Sequence, residues 1–187
     1  MNQQDGIQKI QHLVNGYGKI LRHTQKKGNT MVQLLIQNEL EIMEALHQIE
    51  HFKNDYTQKY CLVPHNELIT AIKEAMIHSK PIALKEECLM TEFLMIGGMT
   101  LRLIELENIL FDPPAFATFL MGKHRKYGEM PILESGRLGI VLRTLSKINR
   151  FINLYELDDH NEVDEEDTLK DILGYCILGY WLERKSS

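Results

Sequence analysis

The chain has little cysteine, little proline, a single tryptophan and no surplus of positive charge. Its three cysteines, Cys61, Cys88 and Cys176, are odd in number, far apart and without C-x-x-C spacing. That excludes a disulfide framework and a structural zinc knuckle. Cys88 and Cys176 stand in apolar runs, where a thiol is expected to act as a small core residue. Lysine and arginine total 21 against 26 acidic residues, a formal charge of −5. Long nucleic acid is therefore not an expected partner, because too few cations are available to neutralise many phosphates. A small phosphorylated ligand needs only a local cationic cluster and stays open. Long hydrophobic runs are also missing. The longest, Ile172 to Leu182, covers about half of a bilayer span. The stretch from Leu84 to Leu106 is interrupted by Glu86, Glu87, Glu92, Arg102 and Glu105. The opening residues Met1-Asn2-Gln3-Gln4-Asp5 carry no apolar signal segment. The expectation is no membrane and a cytoplasmic location.

What is present is helical periodicity. A chain of 187 residues with 44% apolar and 25% charged side chains can bury a core as one domain or two small ones. Only five prolines punctuate it, and no window alternates with the period of two that a half-buried strand requires. The predicted fold class is all-α, a multi-helix bundle. Helices are expected at Asp5–Gln25, Asn29 or Thr30 to Lys53, Pro64–His78, Leu84–Leu110, Ala115–Tyr127, Gly136–Leu157 and Asp164 or Glu165 to Arg184. Loops are expected at Tyr56–Val63 and Gly128–Ser135, a break at Ser79-Lys80-Pro81, and an acidic turn at Asp158–Asp164. Pro113-Pro114 reads as a seam between halves 1–112 and 113–187, expected to form one compact unit.

Carboxylates on otherwise apolar helix lines are informative, since a buried charge needs a partner or a metal. On the last helix, Asp167, Asp171, Gly174, Leu178 and Leu182 share one line, and Leu169, Leu173, Cys176, Ile177 and Tyr180 fill the opposite side. A helix apolar nearly all round belongs at the centre of a bundle. Two carboxylates at i and i+4 suit a shared Mg²⁺, while the helix dipole alone also favours acids near an N-terminus. On the preceding helix, Arg143, Lys147 and Arg150 form a basic stripe opposite Leu138, Val141, Leu142, Leu145, Ile148 and Ile152. That stripe reads as a solvated face or as a phosphate-gripping one. Asn149 falls within the apolar sector and would need a hydrogen-bond partner.

In the first half, Glu39 interrupts the stripe Val32, Leu35, Ile42, Leu46 and Ile49, as a paired core residue or a ligand. Glu41, Glu44, His47 and His51 lie on the other face. Glu44-x-x-His47 has the spacing of a di-iron helix, but a second such motif is missing. Gly97-Gly98 and Gly136-x-x-Gly139 are not phosphate loops, since no G-K-[ST] follows. No G-x-S-x-G or Cys–His arrangement supports a covalent nucleophile.

Three segments carry a resemblance. Lys126-Tyr127-Gly128, Arg143-x-x-Ser146-Lys147-x-x-Arg150-x-x-Asn153 and Glu166-Asp167-Thr168-Leu169-x-Asp171-Ile172-x-x-Tyr175 resemble the nucleotide-modification-associated domain 1 family, over about Ala115 to Arg184. Ser146 stands where that family usually has an aspartate. The first half resembles the MazG-like all-α nucleoside triphosphate pyrophosphohydrolases. Gln37-Asn38-Glu39-Leu40, or Glu41-x-x-Glu44-Ala45-Leu46 in another register, matches their first acidic helix. Lys80-Pro81 with Glu86-Glu87-Cys88-Leu89-Met90 matches the second, and Ile42 and Met90 replace expected acids.

The resemblance implies a helical bundle, a nucleotide ligand, Mg²⁺ as cofactor and a homo-oligomer. As an enzyme, the chain would convert a nucleoside triphosphate, modified or not, to the monophosphate and pyrophosphate. Asp167 and Asp171 would be catalytic metal ligands, assisted by Glu39, Glu41 or Glu44. Lys126, Arg143, Lys147, Arg150 and Asn153 would contact the substrate, with Tyr127 or Tyr175 stacked on its base. The replaced acids leave a second possibility, a protein that binds a nucleotide without cleaving it. A third is a helical interaction module with no ligand.

Overall fold

The computed structural model describes residues 40–54, 64–127, 130–156 and 162–186. The chain divides into two compact units, Met1–Leu40 and Glu41–Ser187, and the described residues other than Leu40 belong to the second. The expected helix Asp5–Gln25, the loop Tyr56–Val63, most of the acidic turn, and Glu39 and Cys61 lie outside the described residues. The described ones form six helices and no strand, the all-α bundle expected. These are α1 (40–54), α2 (His65–Leu84), α3 (Met90–Leu106), α4 (Pro113–Tyr127), α5 (Met130–Glu156) and α6 (Glu162–Ser186).

Helix α6 organises the packing. From Thr168 to Glu183 nearly every side chain is buried or partly buried, as its all-round apolar sequence requires. It packs against α3 and α5, and α2 packs against the same two, so α2, α3, α6 and α5 close a ring of four helices. Ile72 and Met76, Phe93 and Ile96, Val141 and Ile148, and Leu173 and Ile177 supply its core from the four members. Helix α3 approaches α6 tightly at Gly179, where an added Cβ would stand 2.6 Å from three atoms of the Phe93 ring. Helix α1 lies on α3 at Gly97-Gly98, where a Cβ would meet the Ile49 side chain at 2.9 Å and the Lys53 backbone nitrogen at 3.0 Å. The glycine pair is thus a helix-crossing point. The stripe Ile42, Leu46 and Ile49 is buried, as its periodicity predicts. Helix α4 rests on α6 through Phe116 and Leu120, which lie over Gly174.

Several local expectations are corrected. Helix α2 does not break at Ser79-Lys80-Pro81 but continues to Leu84, with Pro81 inside it. Proline removes one helical hydrogen bond, to the carbonyl of Ile77. Ile77 and Pro81 are both exposed, so water can serve the freed carbonyl. The helix stops instead in a Schellman motif: Glu86 takes φ 57°, and the amides of Glu86 and Glu87 donate to Ala83 O at 3.2 Å and Ile82 O at 3.1 Å. Helix α3 starts later than Leu84 and ends before Leu110, closed the same way by Asn108 at φ 56°. The segment from Met130 to Ser135 is helical, not a loop, and the chain bends at the single residue Gly136, φ 55°. Cys88 is exposed, because it falls in the connection after α2, while Cys176 is buried as expected. Leu142 and Asn149 are exposed, and Thr144 and Phe151 are buried instead, so the inward face of α5 is rotated from the expected stripe. The Pro113-Pro114 pair opens α4 inside the second unit.

The glycines give opposite expectations under one substitution. Gly122→Ala, in α4 with open space around its Cα, should raise stability by roughly 0.5–1 kcal/mol through helix propensity. Gly179→Ala should lower it, by about 1 kcal/mol or more, as overpacking on Phe93 exceeds that gain. Urea unfolding of both variants checks the pair, and a Gly179→Ala variant as stable as the wild type, or more so, would refute the packing assigned to Gly179.

Candidate functional site

Helices α5 and α6 run antiparallel, and three cations of α5 reach three acids of α6 in order. Arg137 Nε donates to Glu183 Oε1 at 2.6 Å and Nη2 to Oε2 at 3.1 Å. Lys147 Nζ stands 2.7 Å from Asp171 Oδ2, and Arg150 Nη2 donates to Asp164 Oδ1 at 3.1 Å. The first pair is the deepest, since Glu183 is 1% exposed. Its hydrogen bond raises the Arg137 guanidinium above its ordinary value.

The middle pair gains a third member. Helix α4, set across α6 by Phe116 and Leu120, brings Lys123 to the same carboxylate, and its Nζ donates to Asp171 Oδ1 at 2.7 Å. Each Asp171 oxygen therefore faces one ammonium, from two different helices. Burial pushes the Asp171 carboxyl up, but the hydrogen bonds and charges of Lys123 and Lys147 outweigh it and hold it below the ordinary carboxylate value. The ring of Phe119, one turn before Lys123, is exposed and lies with its centroid 4.6 Å from the Lys123 ammonium. Arg143 is exposed one turn before Lys147, and Lys126 is exposed one turn after Lys123. The result is a partly open patch of cations around one carboxylate, with an aromatic ring beside it. Such a patch can hold an anion.

The remaining site residues fall elsewhere or at its edge. Asp167 is exposed, one turn before Asp171, rather than turned into an interior cleft as its place on the apolar line suggested. Tyr175, one turn after Asp171, is partly buried, and Asn153 is exposed near the end of α5. Tyr127 closes α4, and its side chain lies outside the described residues. Glu41 accepts a hydrogen bond from the Trp181 indole, and Glu44 Oε2 pairs with Arg184 Nη1 at 2.7 Å. Both are bound to the C-terminal end of α6. Trp181 is ten residues beyond Asp171, roughly 15 Å along the axis. The structure therefore does not bring Glu41 or Glu44 to the two aspartates. Their own partners hold them against a different stretch of the same helix.

Among the described residues no three His, Cys, Asp or Glu side chains come together as a metal-ligand set. Asp171 presents both oxygens to ammonium groups, so a cation approaching it meets two positive charges. Among the described residues Asp171 is thus held in ion pairs with Lys123 and Lys147.

Lys123 and Phe119 stand in no motif of the sequence, and their one sequence signal is the basic run Lys123-His124-Arg125-Lys126 that follows Phe119. It gains meaning only through the docking of α4 on α6. Comparison of the chain with protein-family models, with curated proteins and with solved structures gave no match. The geometry is thus the ground for a functional reading.

The lowered Asp171 value carries a pH dependence. A carboxyl with a folded value below its unfolded one adds stability that is complete above the unfolded value and is lost as pH falls through the folded one. The stability gap between the wild type and Asp171→Asn should be level from about pH 5 to 7 and close below about pH 4. Thermal unfolding over that range measures it, and a gap unchanged in acid would show that the ion pairs do not hold Asp171.

Proposed function

We propose that this chain binds a small phosphorylated ligand of the nucleotide class on the face shared by α4, α5 and α6. Lys123 and Lys147 hold the phosphate, Arg143 and Lys126 stand one turn away for further phosphate oxygens, and Phe119 offers a ring for the base. The observation that carries this reading is the convergence of two lysines from separate helices on one half-buried carboxylate, with an exposed aromatic ring against one of them. Ammonium groups bind phosphate as point charges, and partial burial strengthens each contact. A base stacked on the ring would add about 1–3 kcal/mol. The segments that resemble nucleotide-handling proteins cover the same three helices.

Cleavage to the monophosphate and pyrophosphate is a second reading. It is favoured by Asp167, an exposed carboxylate one helical turn from Asp171. In that reading Asp167 would meet Mg²⁺ arriving with a triphosphate.

Isothermal titration with a panel of nucleoside triphosphates, with and without Mg²⁺, tests the proposal when pyrophosphate release is followed on the same samples. Binding is expected with at least one member. Lys123→Ala and Lys147→Ala should each weaken it about ten- to a hundredfold, as for hydrogen bonds to charged groups. Lys53→Ala, which removes a pair with Glu105 between α1 and α3, should leave it unchanged. Release of pyrophosphate would establish the second reading. No heat across the panel would overturn both and leave a helical interaction module.

A further inference from the structure

We infer that Asp171 is a built-in anion occupying the seat of the ligand's phosphate, and that its displacement selects dianionic phosphomonoester ends over phosphodiesters. The inference rests on the binding reading above and deepens it.

The carboxylate already makes the contacts a phosphate would make. Its two oxygens each take one ammonium at 2.7 Å, Lys123 from α4 and Lys147 from α5. Along its own helix, Asp167 and Lys170 flank it, the latter paired with Glu166. Both lysine side chains are partly exposed, that of Lys123 by 41% and that of Lys147 by 26%. A ligand therefore meets cations whose charge is already half answered. It must compete with a carboxylate tethered in the same seat, at a high effective concentration.

Charge decides which ligands succeed. Lys123, Lys147 and Asp171 together carry one net positive charge. A phosphodiester bears one negative charge, so exchanging it for the carboxylate gains no Coulomb energy and loses the tether. A phosphomonoester end bears two near neutral pH, because its second ionisation lies at about pH 6. Two ammoniums and a dianion neutralise each other, and the exchange is favourable. The seat also survives loss of the carboxylate. Helix α4 is held on α6 by the buried side chains of Phe116 and Leu120, and α5 by its core residues and the Arg137–Glu183 pair.

Calorimetry of the full chain with adenosine 5′-monophosphate, inorganic phosphate and 3′,5′-cyclic adenosine monophosphate tests the inference. The wild type should bind the monophosphate about fourfold more tightly at pH 7.5 than at pH 5.5, following the dianion fraction, and should bind the cyclic diester weakly at both. Asp171→Asn should bind the monophosphate and inorganic phosphate at least about tenfold more tightly, because the competing charge is gone. Those two probes should also raise its melting temperature more than that of the wild type. Binding by Asp171→Asn that is no tighter, or weaker, would overturn the inference. The binding reading would still stand in that case if Lys123→Ala and Lys147→Ala lose affinity. Failure of every probe with both proteins would overturn the inference, and the titration with nucleoside triphosphates decides the binding reading separately. If Asp171→Asn does not fold, the wild type decides alone, and equal affinity at the two pH values or for the diester and monoester refutes the inference.

Discussion

Burial of α6 on nearly all its sides is the constraint on which the rest of the structure depends. A helix apolar around its circumference must be covered by several neighbours at once. Here α1, α3, α4 and α5 each take part of it. The close contact at Gly179 against Phe93 sets α3 and α6 at a separation that a larger residue would not allow. Once α6 is central, its polar residues cannot find water easily and must be met by side chains of the surrounding helices. The ion pairs to Glu183 and Asp171 follow from that requirement.

The pairs along α5 and α6 have unequal energetic meaning. Arg150 and Asp164 are each nearly half exposed, and such a pair contributes at most about 1 kcal/mol. Glu183 is nearly inaccessible and is answered by both arms of the Arg137 guanidinium. Removing one partner there would strand a buried charge, which costs about 3–5 kcal/mol. Asp171 lies between these cases. It is buried enough for its lysines to matter and open enough for a solute to reach them. That intermediate exposure separates a candidate binding patch from a purely structural pair.

Much of the scaffold was legible. The apolar stripe of α1, the all-round burial of α6 and the six described helices follow from periodicity, since helical side chains recur on one face at three- and four-residue spacing. Helix ends were less so. Glu86 and Asn108 close their helices in left-handed conformations more usual for glycine, so the stopping signals at Leu84 and Leu106 were hidden. Pro81 reads as a break, yet in the last turn of a helix, on an exposed side, proline costs only one hydrogen bond. Leu142 and Asn149 exchanged expected roles with Thr144 and Phe151 because an apolar arc tells which face is buried only to within about a residue's rotation.

The sequence by itself determined the secondary structure class, the central place of α6 and the presence of a row of cations along α5. These are properties of single helices, fixed by composition and period. The tertiary structure alone decided which charges meet. Lys123 reaches Asp171 across 48 residues of chain, while Glu41 and Glu44, acids that looked equally suited to the site, are drawn to Trp181 and Arg184 at the other end of α6. The physical reason is that a helix periodicity gives the direction of a side chain around its own axis. The crossing point of a second helix, set here by buried Phe116 and Leu120 on α6, gives the height at which the two side chains come together.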